Sequence, residues 1–134
     1  PTIARTRKPD MSDCCATSRK DDAYDLAVIG AGSAGFSAAI TAAEQGARVA
    51  LIGHGVIGGT CVNVGCVPSK TMIRAGEALH GARTASRFDG IVGEARIIDW
   101  RRVIAAKDDL VVGLRQKKYI DLLPQYEGVS YVEG

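Results

Sequence analysis

The first half of the chain alternates short apolar runs with turns and one alanine-rich stretch. Residues 24–29 form an apolar run that ends at Gly30, and residues 48–52 form a second run of the same kind. Between them, residues 36–45 are rich in alanine, and Gly46 follows where a helix C-terminal cap is expected. Short apolar runs bounded by turn residues are typical of buried parallel strands. The pattern therefore predicts a strand, a helix and a second strand within about 30 residues.

The second half of the chain shows helical spacing over two longer segments. The first is predicted to be one long helix with an irregular start, from Cys61 to about Arg83. The second is predicted to begin after Asp99, a good N-cap, and to end before Pro124. The apolar face of the first comprises Met72, Ile73, Ala75, Ala78, Leu79 and Ala82, and that of the second comprises Trp100, Val103, Ile104, Leu110, Val111 and Leu114.

Two shorter segments complete the pattern. Residues 84–98 have no regular period and are predicted to be an irregular connection, with Phe88 and Ile91 packed inward. Residues 129–132 predict the start of a third strand. Together these elements indicate an α/β fold, in which helices cover a sheet of parallel strands. Because three strands are few for such a sheet, we expect the chain to hold only part of the domain.

Composition adds a boundary near the N-terminus. Of the 134 residues, 46% are hydrophobic and 24% are charged, which is ordinary for a globular domain. Residues 1–23 are instead polar and aperiodic, so we expect a flexible arm followed by a domain over residues 24–134.

Charge and apolar runs also bear on partners and compartment. The net charge of +2 gives no reason to expect nucleic acid or a membrane surface as a partner. No apolar run reaches transmembrane length, and no apolar run follows the basic residues at the N-terminus as it would in a secretory signal. Four cysteines in such a chain indicate a reducing compartment, and we expect the cytoplasm.

A glycine-rich turn lies between the first predicted strand and the first helix. It has the form GxGxxG in the strand, turn and helix context that marks a dinucleotide-binding site. The first glycine permits the tight turn, the second lets the backbone approach a pyrophosphate, and the third lets helix and strand pack closely. The helix N-terminus then faces the phosphates. The candidate cofactor ligands in this turn are Gly30, Gly32, Ser33, Ala34 and Gly35.

The end of the second predicted strand lacks an acidic residue. Dinucleotide-binding folds place Asp or Glu there, where it holds the ribose hydroxyls. Here the position is Gly53, followed by His54, and no acidic residue occurs between Glu44 and Glu77. We therefore expect a ribose anchor that is weaker or is supplied by a water or His54, and we expect the substitution Gly53→Glu to tighten cofactor binding.

Two of the four cysteines, Cys61 and Cys66, are five positions apart. Such a pair can bind a metal, form a structural bridge or act as a redox dithiol. Five residues of a regular helix rise about 7.5 Å, whereas the Cα atoms of a disulfide lie within about 7 Å, so a bridge requires a distorted first turn. Gly65 permits that distortion, and a nearby helix N-terminus favours a thiolate. The spacing is therefore compatible with a redox dithiol.

The contiguous stretch from Gly58 to Lys70 resembles the redox-active disulfide motif of the flavin-dependent pyridine nucleotide–disulfide oxidoreductases. The resemblance extends over residues 24–134. Within the family, the valines of this stretch and its Pro-Ser-Lys ending are most similar to the members that reduce mercury(II); these valines are Val62, Val64 and Val67. The resemblance implies a Rossmann-like FAD-binding domain with three layers and a parallel sheet, which is incomplete in this chain.

The resemblance also implies a route for electrons. They pass from NADPH to FAD, then to a Cys61–Cys66 disulfide, and finally to Hg(II), which becomes Hg(0). Cys61 is implied to exchange with the substrate, and Cys66 to lie against the flavin as a thiolate that donates charge to it. The complete enzyme is implied to be a homodimer. Further residues that the resemblance assigns to the flavin site are Gly55, Gly59, Thr60 and Lys70, of which the lysine would stabilise the reduced flavin by its charge.

Two alternatives remain open from the sequence. A lipoamide or glutathione-type disulfide reductase would share the fold, the flavin and the dithiol. A non-catalytic module that sequesters soft metal ions would use Cys61 and Cys66 together with Cys14 and Cys15 of the arm. The glycine turn counts against this second alternative, because a sequestering protein needs no dinucleotide site.

Overall fold

The computed structural model describes residues 23–134, so the predicted arm and its thiols Cys14 and Cys15 lie outside the described residues. The strands and helices follow one another as β1 (Leu26–Ile29), α1 (Ser33–Glu44), β2 (Val49–Gly53), α2 (Gly59–Asn63), α3 (Cys66–Arg83), α4 (Trp100–Arg115) and β3 (Val129–Glu133). Short 3₁₀ turns occur at Ala85–Arg87 and Leu123–Gln125, and a π-helical turn occurs at Gln116–Ile120.

The three strands form one parallel sheet in the order β1-β2-β3. Leu26 pairs with Val49 at one end, and Gly53 pairs with Glu133 at the carboxyl edge. Helix α1 packs against all three strands, whereas α2, α3 and α4 pack mainly against one another. The predicted α/β fold with a parallel sheet is confirmed. The described residues supply a sheet and one covering helix, and the third layer stays a prediction.

The core lies between β2 and α1. Val49 and Leu51 of β2 are completely buried and pack with Phe36 and Ala39 of α1. The prediction that the first strand is buried is wrong, since Ile29 is 87% exposed. Strand β1 lies at an edge of the sheet, so that none of its residues is fully enclosed.

The helix predicted from Cys61 is two helices, because the chain breaks after Asn63. Gly65 there has φ −115° and ψ −113°, which is not helical, and α3 starts anew at Cys66. Helix α1 begins at Ser33, earlier than predicted, so that the glycine turn leads straight into its first turn. The predicted Asp99 cap is confirmed. Asp99 Oδ1 accepts hydrogen bonds from the backbone N–H groups of Arg101 at 2.9 Å and Arg102 at 3.3 Å, in the first turn of α4.

The apolar faces of α3 and α4 are only partly buried. Helix α3 has no buried residue, and α4 buries only Val111. The prediction that Phe88 and Ile91 pack inward is wrong, because they are 54% and 51% exposed. Within residues 23–134, no helix is both long enough and apolar enough to cross a membrane.

Candidate functional site

The glycine turn and a second glycine segment, residues 55–59, pack backbone to backbone. The Gly58 N–H donates a hydrogen bond to the Ala31 carbonyl over 3.0 Å. A Cβ on Gly59 would lie 2.8 Å from the Cα atom of Gly32, and Gly59 has a φ of +68° that side chains rarely adopt. The structure thus brings the two groups of predicted cofactor glycines to one place, directly beside the helix that carries Cys61.

The N-terminus of α1 is open toward this place. Gly32 is the N-cap, and no side chain caps the helix. A Cβ on Gly35 would lie 1.8 Å from the carbonyl oxygen of Gly30, so helix and strand approach as closely as the fingerprint requires. Unpaired N–H groups and the positive end of the dipole make such a helix start a phosphate site. These residues fit the pyrophosphate of a dinucleotide.

A hydrogen bond between two hydroxyl groups adds a feature that the sequence did not predict. Ser33 Oγ and Tyr119 Oη are 2.9 Å apart. Tyr119 is buried in the core and its ring packs edge-on against Phe36, with 4.7 Å between the ring centroids. Tyr119 therefore fixes the hydroxyl at the first turn of α1. No sequence pattern links two residues that are 86 positions apart.

Asn63 holds the second glycine segment in place. Its side-chain amide donates to the carbonyl oxygens of Gly59 at 2.9 Å and Ile57 at 3.0 Å. Its Oδ1 accepts a hydrogen bond from Arg115 at 2.9 Å. Through Asn63, the Arg115 side chain ties α4 to α2 and to the second glycine segment.

The two thiols lie side by side across the break between α2 and α3. Both are free in the structure, Cys61 half-buried and Cys66 exposed. The neighbouring Cys66 side chain, then burial and the charge of Cys66, raise the pKa of the Cys61 thiol, while the Cys66 backbone and the charge of Lys70 oppose the shift. The raised pKa favours the protonated form of Cys61. Cys66 also stands at the first position of α3, where the dipole of an 18-residue helix stabilises negative charge.

Gly65 makes this juxtaposition possible, and alanine there should disturb it. A Cβ on Gly65 would lie 2.9 Å from the Thr60 carbonyl oxygen and 3.3 Å from the Cα atom of Cys61. Gly65→Ala should therefore push α3 away from α2, cost about 1–3 kcal/mol of unfolding free energy, and slow disulfide formation. Urea unfolding and the rate of thiol oxidation measure both effects. Gly76→Ala, in open space on α3, is the control; equal behaviour of the two variants would contradict the prediction.

The remaining predicted flavin residues lie near the thiols. Thr60 precedes Cys61 in α2, and Lys70 follows Cys66 by about one turn of α3. Both are exposed in the structure. The charge of Lys70 acts on the pKa of Cys61, so its ammonium group is part of the electrostatic environment of the thiol pair.

Gly53 has no room for a larger side chain, which changes the expected result of Gly53→Glu. A Cβ there would lie 2.7 Å from the Ala31 Cβ and 2.8 Å from Tyr131 Oη. The substitution should therefore lower the free energy of unfolding by about 1–3 kcal/mol and fail to tighten the cofactor. Thermal unfolding and flavin titration of the complete protein test this, and tighter binding with unchanged stability would restore the original expectation.

Comparison with known proteins agrees with the geometry. The family model described as pyridine nucleotide-disulphide oxidoreductase matches residues 24–132. The chain belongs to the pyridine nucleotide-disulphide oxidoreductase family, a family of oxidoreductases. Within it, the chain is 52% identical to the mercuric reductase of Streptomyces lividans, over 83% of this chain and 23% of that protein. It is 49% identical to the mercuric reductase of Staphylococcus aureus, over 86% of this chain and 21% of that protein.

A solved structure shows the same fold. The HOCl-induced flavoprotein disulfide reductase RclA from Escherichia coli is 33% identical to this chain and superposes on it with a TM-score of 0.60. The matched region covers 83% of this chain and 22% of the RclA chain. The chain spans about a fifth of the length of the curated relatives it matches. Among residues 23–134, no three His, Cys, Asp or Glu side chains gather as metal ligands.

Proposed function

We propose that the complete protein is an FAD-dependent oxidoreductase that takes electrons from NADPH and reduces Hg(II) to Hg(0) through Cys61 and Cys66. The observation that carries this proposal is the pair of neighbouring thiols, which directly adjoins two close-packed glycine segments and an open helix N-terminus. The similarity to two mercuric reductases at about half identity supports the choice of substrate.

Each part of the site has a distinct task in this proposal. The backbone N–H groups at the start of α1 bind the pyrophosphate, and the glycines of residues 30–35 and 55–59 let the cofactor approach. FAD, when bound, supplies the two electrons that NADPH delivers and that open the disulfide. Cys66 stands at the N-terminus of α3, where the helix dipole would stabilise a thiolate. Lys70 adds a positive charge near the two thiols, where it lowers the pKa of Cys61.

Cys61 is the thiol that we assign to exchange with the substrate. Its raised pKa favours the thiol form, so Cys61 must give up its proton to a base before it binds a metal ion or attacks a disulfide as a thiolate. Thiolates are preferred ligands of soft ions, and Hg(II) is such an ion. Two neighbouring thiols bind one ion more firmly than one thiol does, since the second contact is intramolecular.

A disulfide reductase is the second candidate function. RclA, the flavoprotein disulfide reductase from Escherichia coli, superposes on this chain with a TM-score of 0.60. A disulfide substrate would exchange with Cys61 in the same way as a metal ion, so the described residues are compatible with both substrates.

We propose further, in line with the family resemblance, that the complete protein is a cytoplasmic homodimer.

The experiment that separates the candidates is a substrate comparison with the complete protein. NADPH oxidation and release of mercury vapour are followed after addition of Hg(II), lipoamide or glutathione disulfide. We expect NADPH oxidation with Hg(II) and vapour in equal amount. Oxidation only with a disulfide would favour the second candidate, and no oxidation with any of the three would refute both.

A further inference from the structure

The carboxylate of Glu133 lies at the carboxyl edge of the sheet beside Gly53. Glu133 is the last residue of β3 and pairs with Gly53, the last residue of β2. The Gly134 N–H continues this pairing with a hydrogen bond of 3.0 Å to the Gly53 carbonyl. Glu133 therefore stands one strand away from the position where dinucleotide-binding folds place the acidic residue that holds the ribose.

Two hydrogen bonds hold the Glu133 side chain in one orientation. Its Oε1 accepts from the Gly55 N–H at 2.9 Å, and its Oε2 from the Tyr131 hydroxyl at 3.1 Å. His54 Nδ1 lies 3.7 Å from Oε1. The hydrogen bond from Gly55, then that from Tyr131, lower the pKa of Glu133, so the group is ionised at neutral pH. A carboxylate has about four acceptor positions, and these two bonds leave the others available on an exposed side chain.

The neighbours of Glu133 also account for the glycine at position 53. The Tyr131 hydroxyl occupies the space into which a side chain at position 53 would extend, and the same hydroxyl supports Glu133. Glu133 also binds Gly55, one of the glycines proposed to line the cofactor site. A small residue on β2 and an acidic residue on β3 thus form one complementary arrangement.

We propose that Glu133 accepts hydrogen bonds from the adenosine ribose hydroxyls of the bound dinucleotide, in place of the acidic residue that is missing from the end of β2. The inference rests on the proposed FAD site. It assigns a specificity-determining role to a residue of β3 that the glycine fingerprint does not include. It also removes the need for a weaker ribose anchor, which the glycine at position 53 had led us to expect.

The first test compares the FAD affinity of variants of the complete protein. Each variant is freed of flavin and then titrated with FAD, and binding is followed by flavin fluorescence. Glu133→Gln keeps the shape of the side chain and removes its charge. Since a hydrogen bond to a charged acceptor contributes more than a neutral one, affinity should fall about tenfold to a hundredfold. Glu44→Gln, at the opposite end of α1, is the matched control and should bind FAD as the unchanged protein does.

The second test uses an FAD analogue that lacks the adenosine 2′-hydroxyl. The unchanged protein should bind it about tenfold more weakly than FAD, whereas Glu133→Gln should bind both ligands equally. If Glu133→Gln retains full FAD affinity, or still discriminates between the two ligands, the inference is overturned while the proposed function stands. If the unchanged protein does not bind FAD at all, the proposed function fails first. Thermal unfolding of each variant shows that the fold is intact.

Discussion

Cys66→Ser should abolish turnover together with a long-wavelength absorption band, while Cys61→Ser should abolish turnover and keep the band. Neither variant can form the disulfide, so electron transfer to substrate stops in both. They differ in the sulfur that remains. In Cys61→Ser, the remaining sulfur of Cys66 lies at the N-terminus of α3, where negative charge is stabilised. We assign to that thiolate the contact with the flavin, which gives the band by donation of charge.

Visible spectra of the two oxidised variants, loaded with FAD, measure this difference. We expect turnover to fall by at least about a thousandfold in both, as is usual when a residue essential to covalent chemistry is removed. The band in Cys61→Ser should appear without any reductant, because Cys66 has no partner with which to form a disulfide. A band in Cys66→Ser and none in Cys61→Ser would exchange the roles of the two residues.

Gly35→Ala should prevent stable folding of the dinucleotide site. The added Cβ would lie 1.8 Å from the Gly30 carbonyl oxygen and 3.4 Å from Val28. The severe contact is with the backbone of Gly30, directly after β1, so no flexible side chain can move aside to relieve it. The penalty should reach about 3 kcal/mol or more, at the upper end for overpacked cores, and FAD should no longer be retained.

Gly81→Ala is the control for this substitution. Gly81 also lies within a helix, and a Cβ there meets nothing within 4 Å. That variant should gain about 0.5–1 kcal/mol, because alanine loses less backbone entropy than glycine in a helix. Chemical denaturation of both variants gives the two values. Similar stability of Gly35→Ala and the unchanged protein would contradict the close approach of α1 and β1.

The order of elements and the glycine turn could be predicted from the sequence because both depend on local patterns. An apolar run predicts a strand and an alanine-rich stretch predicts a helix from residues that are close together in the sequence. The cap at Asp99 is likewise local, since its side chain reaches only the next turn of the helix. The sequence predicts an irregular helix start around Gly65, but the complete break after Asn63 depends on the close approach of Gly65 to Thr60, which only the fold shows.

The contacts that the sequence could not reveal join distant parts of the chain. Tyr119 meets Ser33, and Arg115 meets Asn63, through pairings that depend on how α4 lies against the glycine segments. Glu133 was overlooked for a related reason. It follows β2 only after 80 residues along the chain, whereas the sheet places β3 directly beside β2. Helical spacing also predicted apolar faces on α3 and α4 without showing whether anything covers them.

In the function that we propose, Cys61 and Cys66 form a disulfide that is opened by electrons from NADPH through FAD. Trypsin cleavage after Arg48 and Lys70 releases one peptide that contains both cysteines. The measurement is mass spectrometry of this peptide after alkylation of the complete, FAD-loaded protein, before and after addition of NADPH without oxygen. We predict an internal disulfide before NADPH and two alkylated cysteines afterwards, with no change when FAD is removed. Two alkylated cysteines before NADPH, or a disulfide that NADPH leaves intact in the FAD-loaded protein, would contradict the claim.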